Sequence, residues 1–217
     1  MKDTQSGIDT VMGAVLAGGS SRRMGRDKAL MELDGRTMLA RAVAILGSVL
    51  EDVLVVAPRI REYTEVEAEI QADLRPGLGP VGGIHTALVR ASGRPVFVLA
   101  CDMPLVSEEL VRWIVGMAAE DLGREPEIGD EARPWARIAR HQGRQQPLCG
   151  LYGGGCLQVV EAALEAGRLS AVDLLGCLET DCLDLDPTAD WFHPHLLANV
   201  NKPQDLAKLA PQLRQSP

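Results

Sequence analysis

The sequence predicts an α/β fold in which a mostly parallel central sheet is covered by helices on both faces. Three segments, residues 11–16, 52–57 and 95–101, are apolar runs, which is typical of strands buried on both sides. Helical patterns lie between these runs, and strands that alternate with helices build right-handed βαβ units. With 217 residues, of which 46% are hydrophobic, the chain can bury a large core. We therefore expect a three-layer sandwich formed by a single domain.

The helices follow from apolar spacing and from end signals. Apolar positions at helical spacing predict helices over residues 37–50, roughly 61–69 and 81–91. Ser107 is a predicted N-cap, because Glu108 and Glu109 follow in the first turn, where carboxylates favour the helix dipole. Residues 121–134 are polar, rich in Gly and Pro and without a period, which predicts an exposed loop.

The C-terminal part of the chain departs from regular strand and helix alternation. Residues 135–140 and 146–152 resemble two strands facing each other across residues 141–144, a hairpin-like element that runs antiparallel to the rest. A helix over residues 156–166 follows, and residues 197–210 predict a short strand, a turn and a last helix. We expect one domain over residues 11–210, flanked by tails at 1–10 and 211–217.

Charge and composition exclude several classes of function. The net charge is -8, which argues against a broad nucleic-acid or anionic-membrane surface, because such surfaces need stripes of basic residues. The chain has neither a run of about 20 apolar residues nor a leader-like N-terminus, so we expect a cytoplasmic protein. Its five cysteines form no Cys-x-x-Cys pair, and several lie in apolar runs, which favours buried, reduced thiols.

The first predicted strand runs into a glycine-rich loop, residues 16–28, that indicates a site for a small anionic ligand. Glycines let backbone N–H groups approach anionic oxygens, and four basic side chains add charge: Arg22, Arg23, Arg26 and Lys28. The loop does not match a Walker A motif, because the glycine pair Gly19 and Gly25 is followed by Arg26. Residues 77–82 match the dinucleotide fingerprint formally, but they lie in mid-chain beside Pro76 and Pro80.

Two aspartates are candidate ligand contacts. Asp102 comes directly after a buried strand and before Met103 and Pro104, at the edge where open α/β folds bind ligands. It is a candidate ligand for Mg²⁺, which takes one or two carboxylates together with water and phosphate oxygens. A turn or capping role before Ser107 fits the local sequence equally well. Asp73 is either a surface turn carboxylate or a ligand contact.

Polar residues near the C-terminus extend the list of candidates. Asn199 and Asn201 flank Val200 in a presumed strand, so both amides would emerge on one face and could bind phosphates or a metal. Turn formation before Pro203 is the alternative interpretation of this pair. The four histidines show no metal-ligand spacing and no neighbouring nucleophile, which favours solvated or helix-terminal positions: His85, His141, His193 and His195.

Four motifs, in order along nearly the whole chain, resemble those of the molybdenum cofactor guanylyltransferase family. They are Leu-Ala-Gly-Gly-Ser-Ser-Arg-Arg-Met-Gly-Arg-Asp-Lys at 16–28, Gly-Pro-Val-Gly-Gly-Ile at 79–84, Ala-Cys-Asp-Met-Pro at 100–104 and Asn-Val-Asn-Lys-Pro at 199–203. The resemblance implies a Rossmann-like fold of the nucleotide-diphospho-sugar transferase type. It also implies transfer of a guanylyl group from Mg·GTP to the phosphate of molybdopterin, with release of pyrophosphate.

The resemblance implies a role for each matching residue. In that family the nucleotide is bound at the positions of Leu16, Ala17, Gly18, Gly19 and Asp73, and the triphosphate at those of Arg23 and Lys28. Asp102 matches the Mg²⁺ ligand, and with Arg23 and Lys28 it forms the implied catalytic set. The positions near the pterin or the metal are Gln146, Pro147, Asn199 and Asn201.

The sequence leaves other functions open. A cytidylyltransferase of molybdopterin, or another nucleotidyltransferase that acts on a phosphate monoester, would carry similar motifs, although Ala17-Gly18-Gly19 favours the guanylyl branch. A nucleotide-binding sensor or an adaptor that delivers the cofactor is the non-enzymatic alternative. GTP and molybdopterin are the expected substrates, and molybdoenzymes or their chaperones are the expected transient protein partners.

Overall fold

The computed structural model describes residues 10–18, 27–58, 63, 66–122 and 134–213. The strands are β1 Met12–Leu16, β2 Glu32–Leu33, β3 Arg36–Thr37, β4 Asp52–Ala57, β5 Glu69–Ala72, β6 Val96–Ala100, β7 Trp135–His141, β8 Arg144–Tyr152 and β9 Glu179–Asp184. The α-helices are α1 Met38–Gly47, α2 Gly79–Ala91, α3 Glu108–Leu122, α4 Cys156–Glu165, α5 Ala171–Leu175 and α6 Pro203–Leu213, and Lys28–Leu30 forms a 3₁₀ turn. No helix within these ranges is long and apolar enough to cross a membrane.

Seven strands form the central sheet, in the order β5-β4-β1-β6-β8-β7-β9. Strands β5, β4, β1 and β6 pair in parallel, and β9 is parallel to β7. Strand β8 is antiparallel to both of its neighbours, β6 and β7. The predicted mostly parallel sheet with a hairpin-like antiparallel element is therefore confirmed, with β8 as the single reversed strand. Strands β2 and β3 form a separate two-stranded ribbon.

Alternate residues of the central strands supply two separate cores, one on each face of the sheet. Val15, Val55 and Phe97 pack against α1 and α3. Their neighbours along the strands, such as Ala14 and Val98, pack against α2, α4 and α5 on the opposite face. All five residues of β1 are buried, as expected for a central parallel strand covered by helices on both sides. The predicted three-layer arrangement is confirmed.

Several sequence-based boundaries are wrong. The helix predicted over 61–69 is contradicted at its end, because Glu69 begins strand β5, which adds parallel to the edge of β4. A short apolar pattern is compatible with a strand as well as with a helix. Pairing with the open edge of β4 gives the backbone of residues 69–72 hydrogen bonds to a neighbouring strand. Residues 197–201 form no strand. The backbone N–H groups of Asn201 and Lys202 donate to the carboxylate of Asp205, in the first turn of α6.

The predicted loop over residues 121–134 is only partly described. Residues 121 and 122 still belong to α3, while 123–133 lie outside the described residues. Helix α6 runs to Leu213, beyond the predicted domain end at residue 210. The sequence analysis did not predict β9, α5 or the β2–β3 ribbon, which are short or only partly buried.

Gly154 is a position where the packing of the fold excludes any side chain. A Cβ built on Gly154 would overlap the carbonyl group of Gly93, in the turn that follows α2. We expect Gly154→Ala to lower the free energy of unfolding by about 1–3 kcal/mol or more, because backbone must shift to make room. Denaturation in urea measures this change. Gly47→Ala is the matched control: no atom lies within 4 Å of its built Cβ, so it should leave stability unchanged or slightly raise it. Equal stability of the two variants would contradict the predicted overlap.

Candidate active site

The candidate site lies along the edge of the sheet where the parallel strands end. Parallel strands present all their carboxyl ends at one edge, so Asp73 after β5 and Asp102 after β6 lie on the same side of the molecule. Strand β8 runs the other way and begins at this edge. Gln146 and Pro147, near its beginning, are therefore placed close to the end of β6.

Three of the predicted site residues meet at this edge. The Nζ atom of Lys28 donates a hydrogen bond of 3.0 Å to Oδ1 of Asn201, and it lies 3.6 Å from Oδ2 of Asp102. The side chains of Lys28 and Asp102 are 20% and 23% exposed, so both are partly withdrawn from water yet reachable by a ligand. These residues come from three distant parts of the chain. We refer to Lys28, Asp102 and Asn201 as the lysine–aspartate cluster.

Local hydrogen bonds position each member of the lysine–aspartate cluster. Lys28 opens the 3₁₀ turn that Asp27 caps, where Oδ1 of Asp27 accepts from the N–H of Ala29 at 3.1 Å. The C-terminal segment is tied to the end of β6, because the N–H of Val200 donates to the carbonyl oxygen of Asp102 at 2.8 Å. That bond brings the neighbouring Asn201 to Lys28.

The capping role considered for Asp102 belongs to another residue. Oγ of Ser107 accepts a hydrogen bond from the N–H of Leu110 at 3.3 Å, so Ser107 is the N-cap of α3 as predicted. The carboxylate of Asp102 instead faces the ammonium group of Lys28. The role of Asp102 as a ligand contact stays a prediction.

Burial makes the charge on Asp102 unfavourable in the absence of a cation. It raises the pKa of the Asp102 carboxyl above its usual range, and the charge and hydrogen bond of Lys28 oppose this effect. Burial also raises the pKa of the neighbouring Cys101 thiol, and Asp102 and Asp27 raise it further. Cys101 therefore stays a protonated, buried thiol beside the cluster. A cation at Asp102 would relieve the cost of its buried charge.

Asp73 is held by a compact set of hydrogen bonds at the end of β5. Its N–H donates to the carbonyl oxygen of Ala57 at 2.7 Å, and its Oδ1 accepts from Arg75 N and Thr86 Oγ1, both at 2.9 Å. Oγ1 of Thr86 also accepts from the N–H of Leu74 at 2.9 Å. These bonds join the loop after β5 to α2. The sequence analysis missed Thr86, because nothing in its local pattern indicates a partner 13 residues away.

Tight packing at the start of α2 supports the same loop. A Cβ built on Gly82 would lie 2.8 Å from the carbonyl oxygen of Arg75 and 3.3 Å from Oδ2 of Asp73. The motif at 79–84 therefore lets α2 approach the loop after β5 closely. Asp73 and the lysine–aspartate cluster lie at the ends of different strands, and the structure gives no direct contact between them.

The predicted loop residues are described only in part. Leu16 and Ala17 are buried, and the N–H of Ala17 donates to the carbonyl oxygen of Val56 at 2.8 Å. Their side chains belong to the two cores, so any ligand contact there involves backbone. Gly18 is exposed, and a Cβ on it would lie 3.3 Å from Cγ of Pro58. Four predicted residues lie outside the described residues: Gly19, Arg22, Arg23 and Arg26.

The remaining predicted residues have different environments. Asn199 is exposed, and the expected shared strand face with Asn201 is wrong because the segment is not a strand. Gln146 lies opposite Ala139 of β7. The carbonyl oxygen of Pro147 accepts a hydrogen bond of 2.6 Å from the hydroxyl of Tyr152, which the sequence analysis did not single out.

The histidines only partly follow the prediction. His85 is 4% exposed, with Nε2 at 3.5 Å from Oε1 of Glu161, so a solvated position is wrong for this residue. His85 belongs to α2, and this contact with Glu161 joins it to α4. His141 lies beside Phe192, with ring centroids 5.5 Å apart. Within the described residues, no group of three or more His, Cys, Asp or Glu side chains could hold a metal ion.

Comparison with known proteins identifies relatives of this chain. The profile of the MobA-like NTP transferase domain matches residues 13–176. The molybdenum cofactor guanylyltransferase of Desulfosudis oleivorans is 36% identical over 75% of each chain. A protein of Pelotomaculum thermopropionicum named "Probable molybdenum cofactor guanylyltransferase" is 33% identical over 90% of each chain.

A solved structure shares the fold. The crystal structure of molybdopterin-guanine dinucleotide biosynthesis protein A from Archaeoglobus fulgidus superposes with a TM-score of 0.73 at 24% identity, covering 94% of this chain and 99% of the other. The predicted fold type is therefore confirmed over nearly the whole length of both chains.

Proposed function

Because the chain belongs to the MobA-like NTP transferase family, we propose that it transfers GMP from GTP to the terminal phosphate of molybdopterin. Its relatives in D. oleivorans and P. thermopropionicum carry the name of this activity. The observation that carries the proposal is the lysine–aspartate cluster, which joins Lys28, the last residue of the glycine-rich loop, to Asp102 at the carboxyl end of β6. This is the position at which open α/β sheets bind nucleotides.

The proposed reaction needs no general base. A phosphate monoester is already a dianionic nucleophile near neutral pH, and one of its oxygens attacks the α-phosphorus of GTP. The bond from the α-phosphorus to the bridging oxygen breaks as the new bond forms, and pyrophosphate leaves with the electron pair. Catalysis then consists of in-line positioning and neutralisation of negative charge. Lys28 supplies charge at the described part of the site, and Arg23 would add a second cation.

The residues at the site fit a magnesium ion. Mg²⁺ prefers oxygen ligands and is commonly bound by one or two carboxylates together with water and substrate phosphates. Asp102 offers one partly exposed carboxylate, and Asn201 offers an amide oxygen that already binds the cation Lys28. Bound Mg²⁺ would neutralise charge on the triphosphate and on the leaving pyrophosphate. We assign Asp102 as its protein ligand.

We assign the nucleotide and the acceptor to different parts of the same edge. Leu16, Ala17, Gly18 and Gly19, at the end of β1, and Asp73, after β5, would bind GTP. The acceptor would then lie on the other side of Asp102, towards β8, near the following residues: Gln146, Pro147, Asn199 and Asn201. We expect the reaction to take place in the cytoplasm and the product to pass to a molybdoenzyme or its chaperone.

The test is a transfer assay with the purified protein. Molybdopterin, Mg²⁺ and labelled GTP should yield pyrophosphate and a labelled guanine dinucleotide. Competition with CTP distinguishes the cytidylyl alternative, since excess CTP should leave guanylyl transfer nearly unchanged. A sensor or adaptor would bind GTP without releasing pyrophosphate. Binding without turnover in the presence of intact molybdopterin would therefore overturn the proposal.

A further inference from the structure

Strand β8 carries an unusual irregularity where it passes the candidate site. Ile138 of β7 lies opposite Gly150, yet the next residue of β7, Ala139, lies opposite Gln146. Strand β8 therefore advances four residues where β7 advances one, which leaves residues 147–149 as three extra residues. We call residues 147–149 the β8 bulge. Bulges are common beside functional sites, where they re-aim side chains.

The β8 bulge sets the position of the residues before it. If residues 147–149 continued the regular pairing with β7, Gln146 would lie opposite residue 142, just beyond the end of β7. That position is roughly 10 Å further along, at about 3.3 Å per residue. The bulge instead holds Gln146 beside Ala139, and places the turn at residues 142–143 next to the sheet edge. Because Gly150 lies opposite Val98 of β6 as well as Ile138 of β7, this shortening sets Gln146 level with Leu99, near the end of β6.

A hydrogen bond within β8 stabilises the bulge. The hydroxyl of Tyr152 donates to the carbonyl oxygen of Pro147 at 2.6 Å, although five residues separate them. In a regular strand these residues would be about 16 Å apart, which a tyrosine side chain does not span. The bond therefore forms only when the bulge contracts the strand. Tyr152 is completely buried, so its hydroxyl needs this acceptor.

Two further residues of β8 suit the bulge. A Cβ on Gly150 would lie 2.6 Å from both the carbonyl oxygen of Arg137 and Cδ1 of Ile138, so only glycine allows β7 to approach closely at the register change. Pro147 has no N–H to donate to a neighbouring strand, which suits a residue outside the regular ladder. The irregularity is thus encoded at three positions of the strand.

We propose that Tyr152 is a positioning residue for the acceptor substrate: its hydrogen bond to Pro147 holds the β8 bulge and thereby fixes Gln146 opposite Ala139 of β7, level with the end of β6. The proposal rests on the proposed function for the identity of the acceptor, a pterin that carries a phosphate monoester. Tyr152 itself touches no substrate in this assignment. We expect its effect on the acceptor side, because β8 pairs with β6 and β7, whereas the residues assigned to bind GTP at the ends of β1 and β5 lie on the other side of β6.

Tyr152→Phe tests the proposal, because it removes only the hydroxyl. We expect the KM for molybdopterin to rise about five- to tenfold, the range that corresponds to losing one buried hydrogen bond. The Kd for GTP, measured by calorimetry without acceptor, should stay within twofold of the wild type. Hydrogen exchange should accelerate at the backbone amides of residues 146, 148 and 149. Thr180→Val is the matched control, because it removes a hydroxyl-to-carbonyl bond of 2.8 Å to Leu175 and should change none of the three measurements.

The outcomes separate this proposal from the proposed function. If the wild-type protein transfers guanylyl groups but Tyr152→Phe keeps the acceptor KM of the wild type, the positioning role is overturned. Unchanged amide exchange at residues 146, 148 and 149 overturns it as well, and this measurement needs no enzymatic activity. If the wild type releases no pyrophosphate, the proposed function fails, while amide exchange still decides whether Tyr152 holds the bulge. A rise in KM for both substrates would indicate general damage and contradict a role confined to the acceptor.

Discussion

Replacing Asp102 by asparagine is expected to lower kcat/KM for guanylyl transfer by about 10²–10³ or more, while the fold remains intact. This range is typical for removing one preorganised electrostatic contact at a transition state. Asparagine keeps the size of the side chain and one oxygen, but it removes the negative charge that would hold Mg²⁺. The assay is pyrophosphate release as a function of Mg²⁺ concentration. The loss should be only partly recovered at high Mg²⁺, because the proposed protein ligand is missing at every concentration.

The control for this substitution is Asp52→Asn, which removes a carboxylate from the opposite edge of the sheet. Asp52 begins β4 and pairs with Arg94 at 2.6 Å, so it lies where the parallel strands start. Its replacement should leave kcat/KM unchanged. Wild-type turnover in Asp102→Asn would show that Asp102 is a structural turn residue, and the sensor or adaptor alternative would then gain support.

The same substitution is expected to leave stability unchanged or higher at neutral pH. Burial raises the pKa of Asp102 in the folded protein, so the folded state holds this proton more tightly than the unfolded state does. The contribution of Asp102 to the free energy of unfolding therefore falls as pH rises through the interval between the unfolded and folded pKa values. Asparagine has no such proton. Denaturation curves at pH 4 and pH 8 should show the wild type losing stability relative to Asp102→Asn as pH rises.

The position of Asp102 could be predicted from sequence because it depends on simple features. An apolar run that ends in a carboxylate predicts a strand end, and parallel strands bring their ends together. The burial of β1, β4 and β6 follows from the same pattern. At Glu69, where the pattern predicted the end of a helix, pairing with the open edge of β4 forms a strand instead. Local periodicity does not contain that information.

Contacts between distant residues could not be predicted. Lys28 and Asn201 are 173 positions apart, and their hydrogen bond depends on how the N–H of Val200 docks on the carbonyl oxygen of Asp102. The β8 bulge is also invisible to a pattern analysis, since residues 146–152 were predicted as one regular strand. The bulge depends on the side chain of Tyr152 reaching back along its own strand. Such features arise from tertiary packing, and motifs and residue spacing carry no information about it.

Replacing Lys28 by methionine is expected to lower kcat/KM for guanylyl transfer by about 10², because an ammonium group positioned for the triphosphate is lost. Methionine keeps most of the apolar stem, so changes in packing are small. The loss has a second component: Lys28 opposes the effect of burial on Asp102, so its removal should raise the pKa of Asp102 further. The acidic limb of the pH–rate profile of the variant should therefore lie at higher pH than in the wild type.

A comparison of three variants separates charge from geometry at this position. Lys28→Arg keeps the positive charge but replaces a compact ammonium group by a planar fork, so we expect activity between those of the wild type and Lys28→Met. Arg94→Met removes a positive charge that pairs with Asp52 at the opposite edge of the sheet, and it should leave the profile unchanged. If Lys28→Met lowered the rate without moving the acidic limb, Lys28 would act on the substrate alone. The assigned electrostatic coupling between Lys28 and Asp102 would then be wrong.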